Sequence, residues 1–279
     1  PNRQAMIGQS AIKLVVTDMD GTLLNSKKEL HPDFGKVLQL MRDRGVRFAV
    51  ASGRQYDTLK REFYPDGDDI IFIAENGTYV KEGGQTLYLK PLDKAEVCHV
   101  LEAVRRLDNA FVLLCGKQSA WYESNDPRLV AELAKFYLRN QKVDNLMEVE
   151  DDILKIALCD FGGAEQNSFP ALAHLRDRMQ VSVSGEIWLD IMTMGANKGE
   201  AVRHVQQHLA IGYHETMVFG DYLNDLEMME TGFYSYAMQN AHPDLKKAAR
   251  FEAPGNDQNG VIKIICEKIS CPNQTLTGL

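Results

Sequence analysis

Several common routes to function are closed by what this sequence does not contain. No uninterrupted apolar stretch approaches the ~20 residues of a membrane-spanning helix. The leading PNRQAMIGQS is polar and lacks the apolar centre of a secretory signal, so the expectation is a soluble chain with no membrane partner. Positive charge is in deficit: 31 Lys and Arg face 39 Asp and Glu, a formal net charge of −8. That balance argues against the broad basic footprint a nucleic-acid backbone requires. Cysteines are few and odd in number. Cys98, Cys115, Cys159, Cys266 and Cys271 show no CxxC pairing, and VLLCG, IALCD and KIICE are apolar surroundings. Most are therefore expected to be small core residues in a reducing, cytoplasmic setting. GxGxxG, a P-loop and GxSxG are all absent, which removes the simplest nucleotide-cofactor and serine-hydrolase readings.

What is present is globular. The 279 residues are 44% apolar and 25% charged. That is enough chain for one to two domains whose core needs no disulfide or structural metal. Short β-branched runs at 12–17 (IKLVVT), 46–51 (VRFAVA) and 70–74 (IIFIA) alternate with amphipathic stretches at 33–44 and 55–63. The pattern returns near the C-terminus, with a helix over 198–209, a strand at 216–219, a helix over 224–230, a strand at 234–238 and a helix from Pro243. Alternation at this spacing predicts an α/β fold with a doubly wound parallel sheet. The middle reads differently. Helices over 94–107, 127–140 and 169–179 are interleaved with strands at 111–115, 119–123, 153–161, 181–184 and 187–193. That order predicts an α+β domain at 88–192 with a mostly antiparallel sheet, inserted between core segments 1–87 and 193–279. The end from Ser270 reads as a frayed tail.

Chemistry is expected at the carboxyl ends of the core strands, where open α/β sheets bind ligands. DMDGT at 18–22 follows the first strand and puts Asp18 and Asp20 two residues apart, an arrangement that is costly without a cation or a shared proton. GDYLND at 220–225 follows another apolar strand and adds Asp221, Asn224 and Asp225. Such an oxygen-rich set suits Mg²⁺, and neither motif holds the His or Cys that zinc prefers. Ser52 and Gly53 end the second strand, offering a hydroxyl and an unobstructed N–H. Lys198 opens a helix, where ammonium and helix dipole both favour phosphate. Taken singly, each of these pieces is also compatible with a plain turn, a cap or a solvated helix start.

Together, and in this order, DMDGT, ASGR, NKG and GDYLND resemble the haloacid dehalogenase superfamily. The long interval between Ser52 and Lys198 places the insert as in its C2-capped branch. DMDGTLLN, AENG (74–77) and MQNAHPDLKKAA (238–249) are similar to the Cof-type sugar-phosphate phosphatases of that branch. The resemblance implies that Asp18 attacks phosphorus and that Asp20 serves as general acid and base. It implies Mg²⁺ bound by Asp18, the Asp20 carbonyl and Asp221, with Asp225 acting directly or through water. It also implies that Ser52, Gly53, Lys198 and Asn224 hold the phosphate of a small phosphorylated metabolite, while Thr22 orders the loop.

Other readings stay open on the residues alone. A phosphomutase would use the same aspartyl chemistry, pyridoxal or flavin phosphates are alternative substrates, and a non-catalytic binder would have no need of Asp20. His204 and His208 lie four apart on a helix but are expected to form a solvated face, since position 205 is Val and no third ligand is evident. EVEDD at 148–152 is expected to be a solvated loop, and Asn76-Gly77 to turn a hairpin. Met192 and Met194 precede Asn197, and some of DIMTMGAN (190–197) is expected to line the substrate side.

Overall fold

The computed structural model describes residues 12–269. The tail from Ser270, expected to be frayed, and Cys271 within it lie outside that range. Among the described residues, fourteen strands form two sheets. The core sheet uses β1 (Leu14–Thr17), β2 (Arg47–Ala51), β3 (Ile71–Ala74), β4 (Tyr79–Glu82) and β5 (Gln85–Leu89), then β12 (Thr216–Gly220), β13 (Tyr234–Met238) and β14 (Phe251–Ala253). Its order is β14-β13-β12-β1-β2-β3-β4-β5. Pairing is parallel from β14 to β3, and LVVT in β1 is wholly buried, as a central strand covered on both faces should be. Beyond β3 the sheet is not parallel: β4 and β5 form an antiparallel hairpin at the edge. Of the helices on this sheet, α1 (Phe34–Asp43) and α2 (Tyr56–Glu62) pack near an edge-to-face aromatic cluster of Phe34, Phe48, Phe63 and Phe72.

The second sheet contains β6 (Ala110–Gly116), β7 (Ala120–Tyr122), β8 (Asn140–Lys142), β9 (Ile153–Asp160), β10 (Met179–Val183) and β11 (Trp188–Thr193) in the order β10-β11-β9-β6-β7-β8. Only β7 with β8 is parallel. All of it lies between β5 and α5 (Lys198–Leu209), and we call it the cap. It carries α3 (Lys94–Val104), which begins in a capping box at Asp93, and α4 (Pro127–Phe136). β5 runs across the 87/88 position and β11 ends at Thr193, so the sheets divide one or two residues later than the sequence boundaries.

Three local expectations are corrected. The helix over 169–179 is a succession of short turns, because Leu172 and Leu175 bury one face at the three-residue period of a 3₁₀ turn. The helix from Pro127 ends at Phe136, since Tyr137 turns extended and sends the chain into β8 beside β7. EVEDD is not simply solvated: Asp151 accepts from the N–H of Gln118 and from Trp121 Nε1. His204 sits on an exposed face of α5, stacked on Tyr88 and beside Glu200. β14 and a closing helix (Gly260–Lys268), both unforeseen, complete the core.

Asn76-Gly77 does turn the chain between β3 and β4, and the turn is pressed against the start of α5. A Cβ on Gly77, at φ 107°, would stand 2.4 Å from the Asn197 carbonyl oxygen. Gly77→Ala will therefore lower stability by about 1–3 kcal/mol and displace Lys198 with its helix. Thermal unfolding and phosphate affinity, measured together, check both effects.

Candidate active site

The loops that follow β1, β2 and β12 meet at one edge of the core sheet. After β1 the chain wraps instead of entering a regular helix, with Asp20 extended and Gly21 left-handed (φ 75°). Only glycine fits there, because a Cβ would lie 2.1 Å from Asp221 Oδ2. Thr22 Oγ1 donates to Asp221 Oδ1 (3.0 Å), and Asn240 Nδ2 donates to the Gly21 carbonyl (2.8 Å). Thr22 thus orders the loop, and MQNAHPD ties a distant segment to it.

Lys198, the first residue of α5, is fully buried beneath this loop. Its Nζ donates to Asp18 Oδ1 (3.1 Å) and to Asp225 Oδ1 (2.8 Å). The Met19 N–H also donates to Asp18 Oδ1 (2.8 Å). Asp225 Oδ2 accepts from the N–H groups of Asp221 (3.0 Å) and Tyr222 (3.3 Å). Asp225 is thus committed to holding Lys198 and the GDYLND turn. In the β2 loop, Ser52 Oγ accepts from the Arg54 N–H (3.0 Å). Asn224 Nδ2 donates to Asn76 Oδ1 (3.1 Å), and Asn224 Oδ1 is buried without a protein partner. Turning both amides over keeps that bond and presents Nδ2 in place of Oδ1.

A cavity of about 350 Å³ opens above this floor. From the core it is lined by Asp18, Asp20, Ser52, Gly53, Asp221 and Asn224; Lys198 and Asp225 lie beneath. The cap closes the other side with Tyr137, Lys155, Glu186, Trp188 and Asp190. Of DIMTMGAN, Asp190 reaches the cavity, whereas Met192 is buried in packing and Met194 is exposed.

A family model described as haloacid dehalogenase-like hydrolase matches residues 15–265. The chain belongs to that family. It is 33% identical over 258 residues to the 5-amino-6-(5-phospho-D-ribitylamino)uracil phosphatase YbjI of Escherichia coli (strain K12), covering 91% of this chain and 95% of that one. It is 27% identical to the phosphatase YwpJ of Bacillus subtilis (strain 168), covering 90% and 97%. The crystal structure of SMU.1108c from Streptococcus mutans superposes with a TM-score of 0.88 at 28% identity, covering 93% of this chain and 99% of that one. The protein is accordingly a phosphoric monoester hydrolase of the haloacid dehalogenase type, acting on small phosphorylated metabolites.

The electrostatics of this phosphatase site are unbalanced. Asp18, Asp221 and Asp225 bring carboxylate oxygens within 4.8 Å of one another, with one ammonium, Lys198, beside them. Burial pushes the Asp18 carboxyl up to about 7 despite Lys198, with Asp221 adding to the rise. Burial also raises Asp221 and Asp225, each further raised by a carboxylate neighbour. Burial alone would lower Lys198, but Asp18 and Asp225 hold it well above its ordinary value. An all-oxygen group carrying excess negative charge fits a hard divalent cation.

Asp20 is different. Its Oδ2 accepts from Arg54 Nε (2.8 Å) and its Oδ1 from Arg54 Nη2 (2.6 Å), and Lys28 Nζ lies 3.1 Å from Oδ1. Burial would raise its carboxyl, but these two cations outweigh it and hold Asp20 below the ordinary Asp value. Sequence reasoning assigned no role to Arg54 or Lys28, although Arg54 stands in the ASGR motif itself.

A carboxyl raised in the folded state binds a proton that the unfolded chain has already lost. Stability of the metal-free enzyme will therefore fall as pH rises from about 4 to about 7. A saturating divalent cation will remove most of that fall, raising Tm by roughly 5 °C near pH 8 and by much less near pH 5. Thermal unfolding with chelator and with cation, across pH, checks the sign.

Proposed function

We propose that the protein is a Mg²⁺-dependent phosphatase of sugar and polyol phosphates that works through an aspartyl-phosphate on Asp18. The observation that carries this reading is the convergence of two donors, Lys198 Nζ and the Met19 N–H, on Asp18 Oδ1 at the cavity floor. They orient the carboxylate and leave Oδ2 to attack phosphorus. Asp18, the Asp20 carbonyl and Asp221 would hold Mg²⁺, which supplies charge to offset repulsion between carboxylate and phosphate dianion. Asp225, its oxygens engaged by protein donors, would reach the ion through water. Ser52, the Gly53 N–H and Asn224 would bind non-bridging oxygens, with the Lys198 charge directly beneath.

Asp18 Oδ2 forms the new bond to phosphorus as the ester P–O bond breaks, and the departing oxygen takes a proton from Asp20. Water then attacks the aspartyl-phosphate and passes its proton back to Asp20, releasing phosphate and restoring Asp18. For Asp20 to carry that proton, the Arg54 pair must loosen, and the incoming dianion is the competitor for its guanidinium. YbjI, whose name states a ribityl phosphate substrate, supports a polyol leaving group. A cytoplasmic setting matches such metabolites. A phosphomutase would pass the phosphoryl group to a second hydroxyl, and measured phosphate release separates the two.

Asp18→Asn will abolish turnover and any covalent phosphate. Asp20→Asn will slow sugar phosphates about 10²–10⁴-fold, and will accumulate phosphoenzyme from an activated phenyl ester, because that leaving group needs little protonation. Intact mass after acid quench reads both. Covalent phosphate in Asp18→Asn would place the nucleophile elsewhere. Ca²⁺ in place of Mg²⁺ will depress activity, since the larger ion accepts both oxygens of one carboxylate.

A further inference from the structure

The cap carries a buried charged pair that the chemistry above does not use. Lys155 on β9 and Asp190 on β11 are each about 1% exposed, yet both border the cavity. Lys155 Nζ donates to the Gly53 carbonyl, bridging the cap to the loop that binds phosphate. Its separation from Asp190 Oδ2, 3.6 Å, is that of an ion pair rather than a hydrogen bond; Ser184 also acts on this carboxylate, yet Oδ2 has no partner within hydrogen-bond distance. A buried carboxylate oxygen without a donor is costly, and such exceptions call for an explanation.

Its position supplies one. A Cβ built on Gly53 would lie 3.7 Å from Asp190 Oδ2 and 3.6 Å from Lys155 Nζ. The free oxygen therefore stands one side-chain step from the phosphate loop, where the first carbons of a leaving group must pass. Beyond it, Trp188 meets Phe136 edge to face (6.4 Å) and Tyr137 at a tilt (6.4 Å), giving an apolar wall that suits the C–H face of a polyol or sugar.

We propose that Asp190 is a specificity-determining residue: its Oδ2 accepts a hydrogen bond from a hydroxyl on the carbon next to the ester-bearing carbon, selecting polyol and sugar phosphates over esters that lack this donor. Lys155 fixes the carboxylate by charge and ties its position to Gly53. The proposal rests on the phosphatase reading above and adds to it the group by which the substrate is chosen.

The test compares kcat/KM for glycerol 3-phosphate, 3-hydroxypropyl phosphate and the 2-fluoro analogue of glycerol 3-phosphate, which can accept a hydrogen bond but not donate one. Loss of the hydroxyl will lower kcat/KM of the natural enzyme about 10- to 100-fold, and fluorine will not restore it. In Asp190→Ala the ratio between the first two esters will collapse towards one, while Asp190→Asn, which keeps an acceptor oxygen, will retain part of it. The ratio is internal to each enzyme, so a general loss of activity cancels. If Asp190→Ala does not fold, the ester series on the natural enzyme decides alone. Equal turnover of the first two esters, full rescue by fluorine, or an unchanged ratio in Asp190→Ala would overturn the proposal and leave the phosphatase reading intact. No hydrolysis of any ester, p-nitrophenyl phosphate included, would remove both.

Discussion

Two buried carboxylates and a half-buried third share one buried ammonium at the end of a parallel sheet, and much of the rest of the structure serves that imbalance. Asp18, Asp221 and Asp225 come from two adjacent strands, β1 and β12, whose parallel register brings both strand ends to one level. Lys198 reaches them from the start of α5, the first helix after the cap. Such a group is unfavourable by itself, because desolvation and mutual repulsion both act against charged carboxyls. Its excess negative charge is what a divalent cation would offset.

The two DMDGT carboxylates occupy opposite electrostatic settings although they are two residues apart. Asp18 is pushed up by burial and then by its carboxylate neighbours, whereas Asp20 is clasped by Arg54 and Lys28 and held down. The division follows from the backbone. The left-handed Gly21 and the extended Asp20 turn one side chain towards β12 and the other towards the β2 loop. The proposed roles of nucleophile and proton carrier call for different environments, and one kink separates the two carboxylates. Arg54 also stands over the Phe136 ring of the cap, so the group that restrains Asp20 touches the element that covers the substrate.

The cap does more than cover. Lys155 reaches from β9 to the Gly53 carbonyl, while Gln55 and Thr58 of the core bond to the Arg139 and Phe136 carbonyls of the cap. These ties join the phosphate loop to the wall that meets the leaving group. Under the proposed function, recognition of phosphate and of what it is attached to would be coupled through a few residues near 53–58.

Much of this was legible in the sequence. Alternating short apolar runs gave the parallel core strands, because strands buried on both faces must be apolar throughout. DMDGT, ASGR, NKG and GDYLND gave the site residues as types, since oxygen ligands and anion-binding turns have few chemical substitutes. The antiparallel β4-β5 edge escaped, because KEGG and its flanks are half-exposed and carry no strong period. The broken stretch at 164–177 escaped because a three-residue spacing of buried leucines resembles a helix in a single sequence. The sequence by itself determined which side chains are candidates for the chemistry. Only the tertiary structure decided that Lys198 lies beneath the cavity, that Arg54 restrains Asp20, and that Asp190 is the residue of DIMTMGAN that borders the cavity beside Gly53. Those facts depend on contacts between residues 34 to 180 positions apart, which strand pairing and cap docking fix and local pattern cannot record.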